Sequence, residues 1–233
     1  MNERVGLSVL GKPINAFQVA RPDRPGALIL AGVHGDEPKS VSVARNLVRL
    51  LEGDAPAVAE QASWYVIPVV NPDGYEVRKR RNANGVDLNR NFPTRNWEPG
   101  SKRSRMFGGA APASEPETQV VMRVIDRQQP ALIVSIHSID RKRQCNNHDG
   151  PGEPLARALS EFNGYPVRGS IGYATPGSLG TWAGVERNIP TVTLELPSHH
   201  SLKRCWEDNR EALLACATAA KLTSGPSHRH WGG

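Results

Sequence analysis

Residues 26–38, GALILAGVHGDEP, join a short apolar run to a polar turn and a proline. A run of this length that is nearly all apolar is typical of a strand covered on both faces of a sheet. The sequence therefore predicts a buried strand over 26–34 that ends in a turn. That turn carries His34 and Glu37, a histidine and a carboxylate three residues apart.

The residues behind the turn follow helical spacing. Pro38 fits the first turn of a helix, where a missing N–H costs nothing. Apolar residues then recur at intervals of three and four, as an amphipathic helix requires: Val41, Ala44, Leu47, Val48 and Leu51. The pattern predicts a helix over 38–52 that packs on the sheet.

The same alternation of strand and helix continues along the chain. Residues 5–9 and 14–18 alternate in polarity and predict an edge hairpin. SEPE at 114–117 has the form of a capping box, with Ser114 and Glu117 opening a helix. Further buried strands are predicted over 64–72, 131–137 and 191–197, and further helices over 153–162 and 209–222. This order predicts an α/β fold, a single domain whose mixed, mostly parallel β-sheet carries helices on both faces.

Composition excludes several classes of protein. With 38% hydrophobic and 22% charged residues, the 233-residue chain has a globular balance. Its longest apolar stretches are too short to cross a bilayer, and its first residues lack the pattern of a secretory signal. Three cysteines without a CxxC pair indicate a reducing cytoplasm. The final segment, 224–233, is predicted to be a disordered tail.

The formal net charge is +6, and the basic residues are clustered. No nucleic-acid-binding motif accompanies these clusters. They are typical of solvated surface, although an excess of positive charge also attracts acidic ligands. The clusters are RKRR at 78–81, KRSR at 102–105 and RKR at 141–143.

Four polar side chains follow or end the predicted central strands: His34, Asn71, His137 and Glu195. Open α/β sheets bind their ligands at the carboxyl ends of the strands, so these groups are expected to converge. Two histidines and a glutamate form a ligand set of catalytic zinc. Glu195 lies within a buried strand, where a carboxylate needs a partner or a catalytic role. As a further carboxylate outside the ligand set, it is placed to move a proton.

The long polar connection over 75–113 adds groups that bind anions. A structureless segment of this length within a compact domain is often functional. Its segment GVDLNRNFP contains Asn89 and Arg90, and an arginine fork with a neighbouring amide can hold a free carboxylate. A second arginine aimed at the scissile carbonyl would stabilise the developing oxyanion.

Taken in order, HGDE, NPDG, DLNRNFP, SEPET, SIH and TLELP resemble the motifs of the zinc carboxypeptidase family. The resemblance covers residues 27–197. RRNANGVDLNRNFP followed by NW, and GYATPGSLGTWA at 172–183, are similar to a bacterial branch that cleaves γ-D-glutamyl-meso-diaminopimelate bonds. The resemblance to the family implies a zinc carboxypeptidase-like fold, with residues 1–223 forming one catalytic domain.

The resemblance also implies roles for individual residues. One Zn²⁺ per chain would be held by His34, Glu37 and His137, and Glu195 would be the general base. Asn89 and Arg90 would bind the terminal carboxylate of the substrate, matching the interpretation of the polar connection.

The remaining assignments leave alternatives open. Arg80 matches the arginine that polarises the carbonyl, with Arg78 as its rival in the same basic run. Tyr173 is a candidate for the family's tyrosine over the substrate or a packed aromatic residue. Asp140 is nominated to bind the ammonium of diaminopimelate. Asp36 is expected to face away from the ligands and is a candidate acceptor for a histidine N–H.

The activity implied is hydrolysis of L-Ala-γ-D-Glu-meso-Dap, a small anionic peptide, during cell-wall peptide recycling in the bacterial cytoplasm. No nucleic acid or membrane partner is expected. One alternative is a deacylase of N-acyl amino acids, of the succinylglutamate desuccinylase and aspartoacylase kind, which shares the HxxE turn. The other is a muropeptide-binding protein that has lost activity, although such a protein would be expected to lack a ligand or the base.

Overall fold

The computed structural model describes residues 1–21, 23–53, 55–140 and 143–223. Within these residues one eight-stranded sheet has the order β1-β2-β4-β3-β5-β8-β6-β7. Its strands are β1 Asn2–Leu7, β2 Pro13–Val19, β3 Gly26–Ala31, β4 Ser63–Ile67, β5 Leu132–Ile139, β6 Cys145–Asp149, β7 Val167–Arg168 and β8 Thr191–Pro197. The α-helices are α1 Pro38–Glu52, α2 Pro72–Glu76, α3 Pro116–Gln128, α4 Glu153–Asn163 and α5 Leu202–Thr223. The predicted tail, 224–233, lies outside the described residues.

The centre of the sheet is parallel and its flanks are mixed. Strands β4, β3, β5 and β8 pair in parallel, while β2 runs antiparallel to β4 and β6 antiparallel to β8. The prediction of a mixed, mostly parallel sheet within an α/β fold is confirmed. The parallel centre brings the carboxyl ends of β3, β4, β5 and β8 to one edge, as the alternation of strands and helices predicted.

Apolar side chains cover both faces of the sheet. Alternate residues of a strand point to opposite faces, so Ile29 and Val134 face α1, α4 and α5, whereas Leu28 and Ile133 face α3 and Trp182. Burial of each such side chain contributes about 1.5–3 kcal/mol. Two separate apolar cores therefore hold the central strands rigid beneath their polar ends.

Most elements lie where the sequence predicted them. The edge hairpin, the helix over 38–52 and the strand over 191–197 are confirmed. The strand predicted over 64–72 ends at Ile67. Asn71 instead begins α2, since its side chain accepts the N–H of Gly74 at 2.8 Å.

The capping box predicted over 114–117 does not form, so that prediction is wrong. Glu115, not Ser114, precedes the first residue of α3, and no side chain caps the helix there. The Ser114 hydroxyl donates to Glu115, while Glu117 accepts the N–H of Val9 and the amide of Asn82. Contacts with distant segments have therefore replaced the local reciprocal bonds that the pattern predicts.

Strands β6 and β7 have no counterpart in the sequence prediction. CNNHD, the sequence of β6, contains none of the branched or aromatic residues that mark strands. Among the described residues, no helix combines the length and apolar character that crossing a bilayer requires.

The turn between β3 and α1 requires glycine at position 35. A Cβ there would overlap the backbone of Gly74 and Tyr75, and the Gly35 N–H donates to the carbonyl of Arg80. The β3–α1 turn is thus pressed against α2 and the segment that follows it.

We expect Gly35→Ala to lower the free energy of unfolding by about 1–3 kcal/mol through this overlap. Gly26→Ala is the matched control, because its Cβ would meet Pro130 at an ordinary 3.6 Å. Urea denaturation measures both variants. Equal stability of the two would contradict the close approach of the turns.

Candidate metal and substrate site

The turn after β3 aims two side chains at the same point. Glu37 occupies the position before α1, and its carboxylate does not cap the helix. The Ser40 hydroxyl donates to the Glu37 carbonyl at 2.7 Å, which fixes the turn. The Glu37 carboxylate is therefore free to face His34.

The three predicted metal ligands meet in a buried cluster. His34 Nδ1 lies 2.7 Å from Glu37 Oε1, and His137 Nδ1 lies 3.1 Å from Glu37 Oε2. The two Nδ1 atoms are 3.0 Å apart. Within the described ranges this is the one group of three potential ligand side chains whose atoms lie within 4.8 Å of one another.

The remaining atoms of these ligands are held by other groups. His34 Nε2 lies 3.0 Å from Asp87 Oδ1, and His137 Nε2 lies 3.1 Å from Ser135 Oγ. The Ser138 N–H donates to Glu37 Oε2 at 3.0 Å. Outer partners of this kind orient metal-binding imidazoles. Each Nδ1 is thus left to face the shared point.

This donor set fits zinc. Ligands about 2.0–2.1 Å from a tetrahedral ion lie about 3.4 Å from one another. The observed separations of 2.7, 3.0 and 3.1 Å would need to widen by about 0.3 to 0.7 Å. Imidazole nitrogens and a carboxylate oxygen are also the ligand types that catalytic zinc prefers.

Charge in the cluster favours a cation. Burial alone would lower the pKa of His34, but the carboxylates of Glu37 and Asp87 raise it to about 9. Burial opposes ionisation of Glu37, yet His34 and His137 hold its pKa below the usual range. Two buried carboxylates beside two histidines therefore create a site that a divalent cation would neutralise.

Glu195 stands beside this cluster without a partner of its own. It pairs in register with His137 across β5 and β8. In the described part of the chain its carboxylate accepts no hydrogen bond, although the charges of His34 and Arg80 act on it. Burial, and next the charge of Glu37, raise its pKa to about 8. A carboxyl group with this pKa can hold or release a proton near neutrality.

The two rival arginines lie in different places. Arg80 donates from Nε and Nη2 to Asp87 Oδ2 at 3.0 and 2.9 Å, and its Nη1 is 3.6 Å from Glu37. Arg78 stacks over the ring of Tyr75, 4.5 Å from its centroid. The geometry favours Arg80 as the arginine near the reacting carbonyl.

Asn89 and Arg90 form a pair joined to the same network. The Asn89 N–H donates to Asp87 Oδ1 at 3.0 Å, and Asn89 Oδ1 accepts the N–H of Leu179 at 2.9 Å. Among the described residues the side-chain NH₂ of Asn89 donates no hydrogen bond, so it can bind a ligand. Burial lowers the pKa of Arg90, partly offset by Asp87 and by Tyr173. Tyr173 is 48% exposed, so it is not a packed aromatic residue.

Asp87 is the functional residue that the sequence analysis missed. Asp36 faces away from the ligands, as predicted, and lies 3.8 Å from Arg105 at the surface, so its nomination as the acceptor for a histidine is wrong. Asp140 is exposed and accepts the hydroxyl of Ser198 at 3.1 Å. The one available signal for Asp87 was its place in GVDLNR, two residues before Asn89.

We expect Asp87→Asn to weaken zinc binding about 10- to 100-fold, because an amide orients His34 less strongly than a carboxylate. Asp36→Asn is the control and should bind zinc like the wild type. Competition with a chromophoric chelator measures the affinity. Equal affinity of the two variants would contradict the role of Asp87.

We also expect Glu195 to make the metal-free protein less stable as pH rises. The native state keeps its proton up to pH about 8, whereas the ordinary glutamate value is 4.5. Between these values the native state binds more protons than the unfolded chain, so this group lowers the unfolding free energy as pH rises. Glu195→Gln should therefore gain stability relative to wild type from about pH 5 to 8. Urea unfolding with a chelator present checks this, and a pH-independent difference would refute it.

Comparison with known proteins identifies the relatives of this chain. A family model described as zinc carboxypeptidase matches residues 2–142. Murein peptide amidase A of Escherichia coli K12 is 39% identical over 206 residues, covering 84% of this chain and 81% of the relative. The enzyme of that name from Vibrio campbellii is 35% identical over 203 residues, covering 82% and 77%.

Solved structures agree with these matches. The crystal structure of a murein-tripeptide amidase from Escherichia coli O157 superposes with a TM-score of 0.75 at 33% identity, covering 93% of this chain and 91% of that one. A carboxypeptidase A from Helicoverpa armigera gives a TM-score of 0.80 at 20% identity, covering 96% and 69%. The second likeness shows the fold alone.

Proposed function

The chain belongs to the zinc carboxypeptidase family, and from that premise we propose that it is a zinc-dependent amidase acting on murein peptides. Its substrate would be L-Ala-γ-D-Glu-meso-Dap, cut between glutamate and diaminopimelate. The observation that carries this proposal is the meeting of His34, Glu37 and His137 beside Glu195 and the Asn89–Arg90 pair. The names of the relatives support the choice of murein peptides.

The metal would be held by His34, Glu37 and His137, whose facing atoms fit it. When bound there, zinc supplies a Lewis acid that polarises a carbonyl and lowers the pKa of water.

The substrate is positioned through its charged end. Arg90 and the free NH₂ of Asn89 bind the terminal carboxylate, since an arginine fork and an amide both donate to its oxygens. Arg80, whose guanidinium is already aligned by Asp87, donates to the carbonyl oxygen as charge develops there. With these contacts the γ-amide would lie next to Glu195.

Glu195 moves the proton. Its carboxylate accepts a proton from the attacking water and then delivers that proton to the departing amine nitrogen. Burial favours the protonated form of this carboxyl group, which suits a residue that must hold the proton between the two steps. The products are L-Ala-D-Glu and free diaminopimelate.

The setting that we propose is cell-wall peptide recycling in the bacterial cytoplasm. The three cysteines are free and buried, as a reducing compartment allows. The partner is then the small anionic peptide itself, attracted by the positive charges of Arg80 and Arg90.

We expect Glu195→Gln to lower kcat for the tripeptide about 10²- to 10⁴-fold while zinc content stays at the wild-type level. Glu161→Gln, an exposed position on α4, is the matched control and should keep full activity. Release of diaminopimelate is followed by mass spectrometry, and zinc by atomic absorption.

Wild-type turnover that survives in Glu195→Gln would overturn the role of Glu195. Parallel assays with N-acyl amino acids distinguish the deacylase alternative, which would show faster hydrolysis of those compounds than of the tripeptide. Tight tripeptide binding without turnover by the zinc-loaded protein would indicate a binding protein instead.

A further inference from the structure

Strand β6, the neighbour of β8, carries a row of side chains that the proposed mechanism does not use. Cys145, Asn147 and Asp149 pair in register with Glu195, Thr193 and Thr191 of β8. Paired residues of neighbouring strands share a face, and alternate residues return to it. The three β6 side chains therefore lie on the same face of the sheet as Glu195.

Asn147 has an unsatisfied group on this face. The residue is 8% exposed, and its Oδ1 is buried without a hydrogen-bond partner among the described residues. A buried polar atom left unpaired costs about 1–3 kcal/mol. Such an atom beside an active site is accounted for if a ligand completes it.

Asp149 is a second group without a hydrogen bond among the described residues, although the adjacent His148 has an electrostatic effect on its carboxylate. It forms no hydrogen bond or ion pair with the part of the chain that the structure describes. A side chain at Gly180 would overlap its carboxylate, and one at Gly184 would crowd its backbone and Cβ. The helix Gly180–Val185 thus leaves room for this carboxylate. Leu179, immediately before that helix, donates its N–H to Asn89, the residue proposed to bind the terminal carboxylate.

A cation stands on the other side of Asn147. Arg168 of β7 pairs in register with Asn147, so it shares the same face. The charge of Arg168 acts on Cys145, which lies on this face. Burial and Glu195 raise the pKa of the Cys145 thiol, whereas Arg168 lowers it. Arg168 is exposed and has no ion pair within the described residues.

From this juxtaposition we infer that Asp149, Asn147 and Arg168 form the subsite for the amino-acid group at the far end of the diaminopimelate side chain. Asp149 binds the ammonium, Arg168 binds the distal carboxylate, and the Asn147 amide can contact both. The inference rests on the proposed function and replaces the nomination of Asp140. Thr191, opposite Asp149, is about 13 Å along β8 from Glu195, a distance that an extended side chain and the intervening hydrogen bonds can span.

Three substrates that differ only in the last residue test the subsite. L-Ala-γ-D-Glu is joined to meso-diaminopimelate, to L-lysine, which lacks the distal carboxylate, or to L-2-aminopimelate, which lacks the distal ammonium. Hydrogen bonds to charged groups have magnitudes that correspond to about 10- to 100-fold in kcat/KM. We expect the wild type to prefer diaminopimelate over each analogue by such a factor.

Each substitution should abolish the preference for diaminopimelate over one of the two analogues only. Asp149→Asn should lower kcat/KM for diaminopimelate at least about 10-fold and leave that for 2-aminopimelate unchanged. Arg168→Gln should do the same for diaminopimelate and leave that for lysine unchanged. Asp140→Asn is the matched control and should keep all three values. Ratios between substrates do not depend on the fraction of each variant that is folded.

Equal losses on all three substrates, or an unchanged preference in both variants, would overturn the subsite while leaving the proposed function standing. A wild-type protein with one equivalent of zinc that cleaves none of the three would overturn the proposed function, and the subsite with it.

Discussion

The buried carboxylate of Asp87 is the interaction on which the rest of the site depends. Its Oδ1 lies within hydrogen-bond distance of His34 Nε2 and accepts the N–H of Asn89, and its Oδ2 accepts two bonds from Arg80. One side chain thus fixes the proposed metal ligand His34, the arginine proposed for the carbonyl, and Asn89, which is proposed to bind the terminal carboxylate. Burying this charge is costly without such partners, so its loss would disturb all three functions together.

The segment that carries Asp87 is held in place from α3. The side-chain amide of Asn82 donates to Glu115 at 2.7 Å and to Glu117 at 3.1 Å, and Glu115 donates its N–H to Asn91 at 3.1 Å. These bonds take the place of regular secondary structure over most of the polar connection. Long loops bind substrates well when a rigid scaffold positions them, and here the scaffold is the start of α3.

Local patterns were sufficient to predict the framework. Helical spacing located α1 to the residue, and apolar runs located β3, β5 and β8. Because parallel strands end at one edge, polar residues at those ends could be expected to converge, and the structure brings His34 and His137 together.

The predictions that failed concern features fixed by contacts between distant segments. Asp87 reaches His34 across 53 positions, and Glu117 reaches Val9 across 108. No local spacing encodes such pairs, so Asp36 and the capping box appeared as the nearer explanations. Strand β6 escaped prediction because its sequence, CNNHD, shows no alternation of apolar and polar residues.

The most direct test is to analyse the products that the zinc-loaded wild-type protein forms from L-Ala-γ-D-Glu-meso-Dap in ¹⁸O-labelled water. We expect unlabelled diaminopimelate and L-Ala-D-Glu carrying ¹⁸O in its γ-carboxylate, as hydrolysis of the γ-amide requires. Intact tripeptide after incubation with protein that holds one equivalent of zinc would contradict the substrate assignment while leaving the metal site in place.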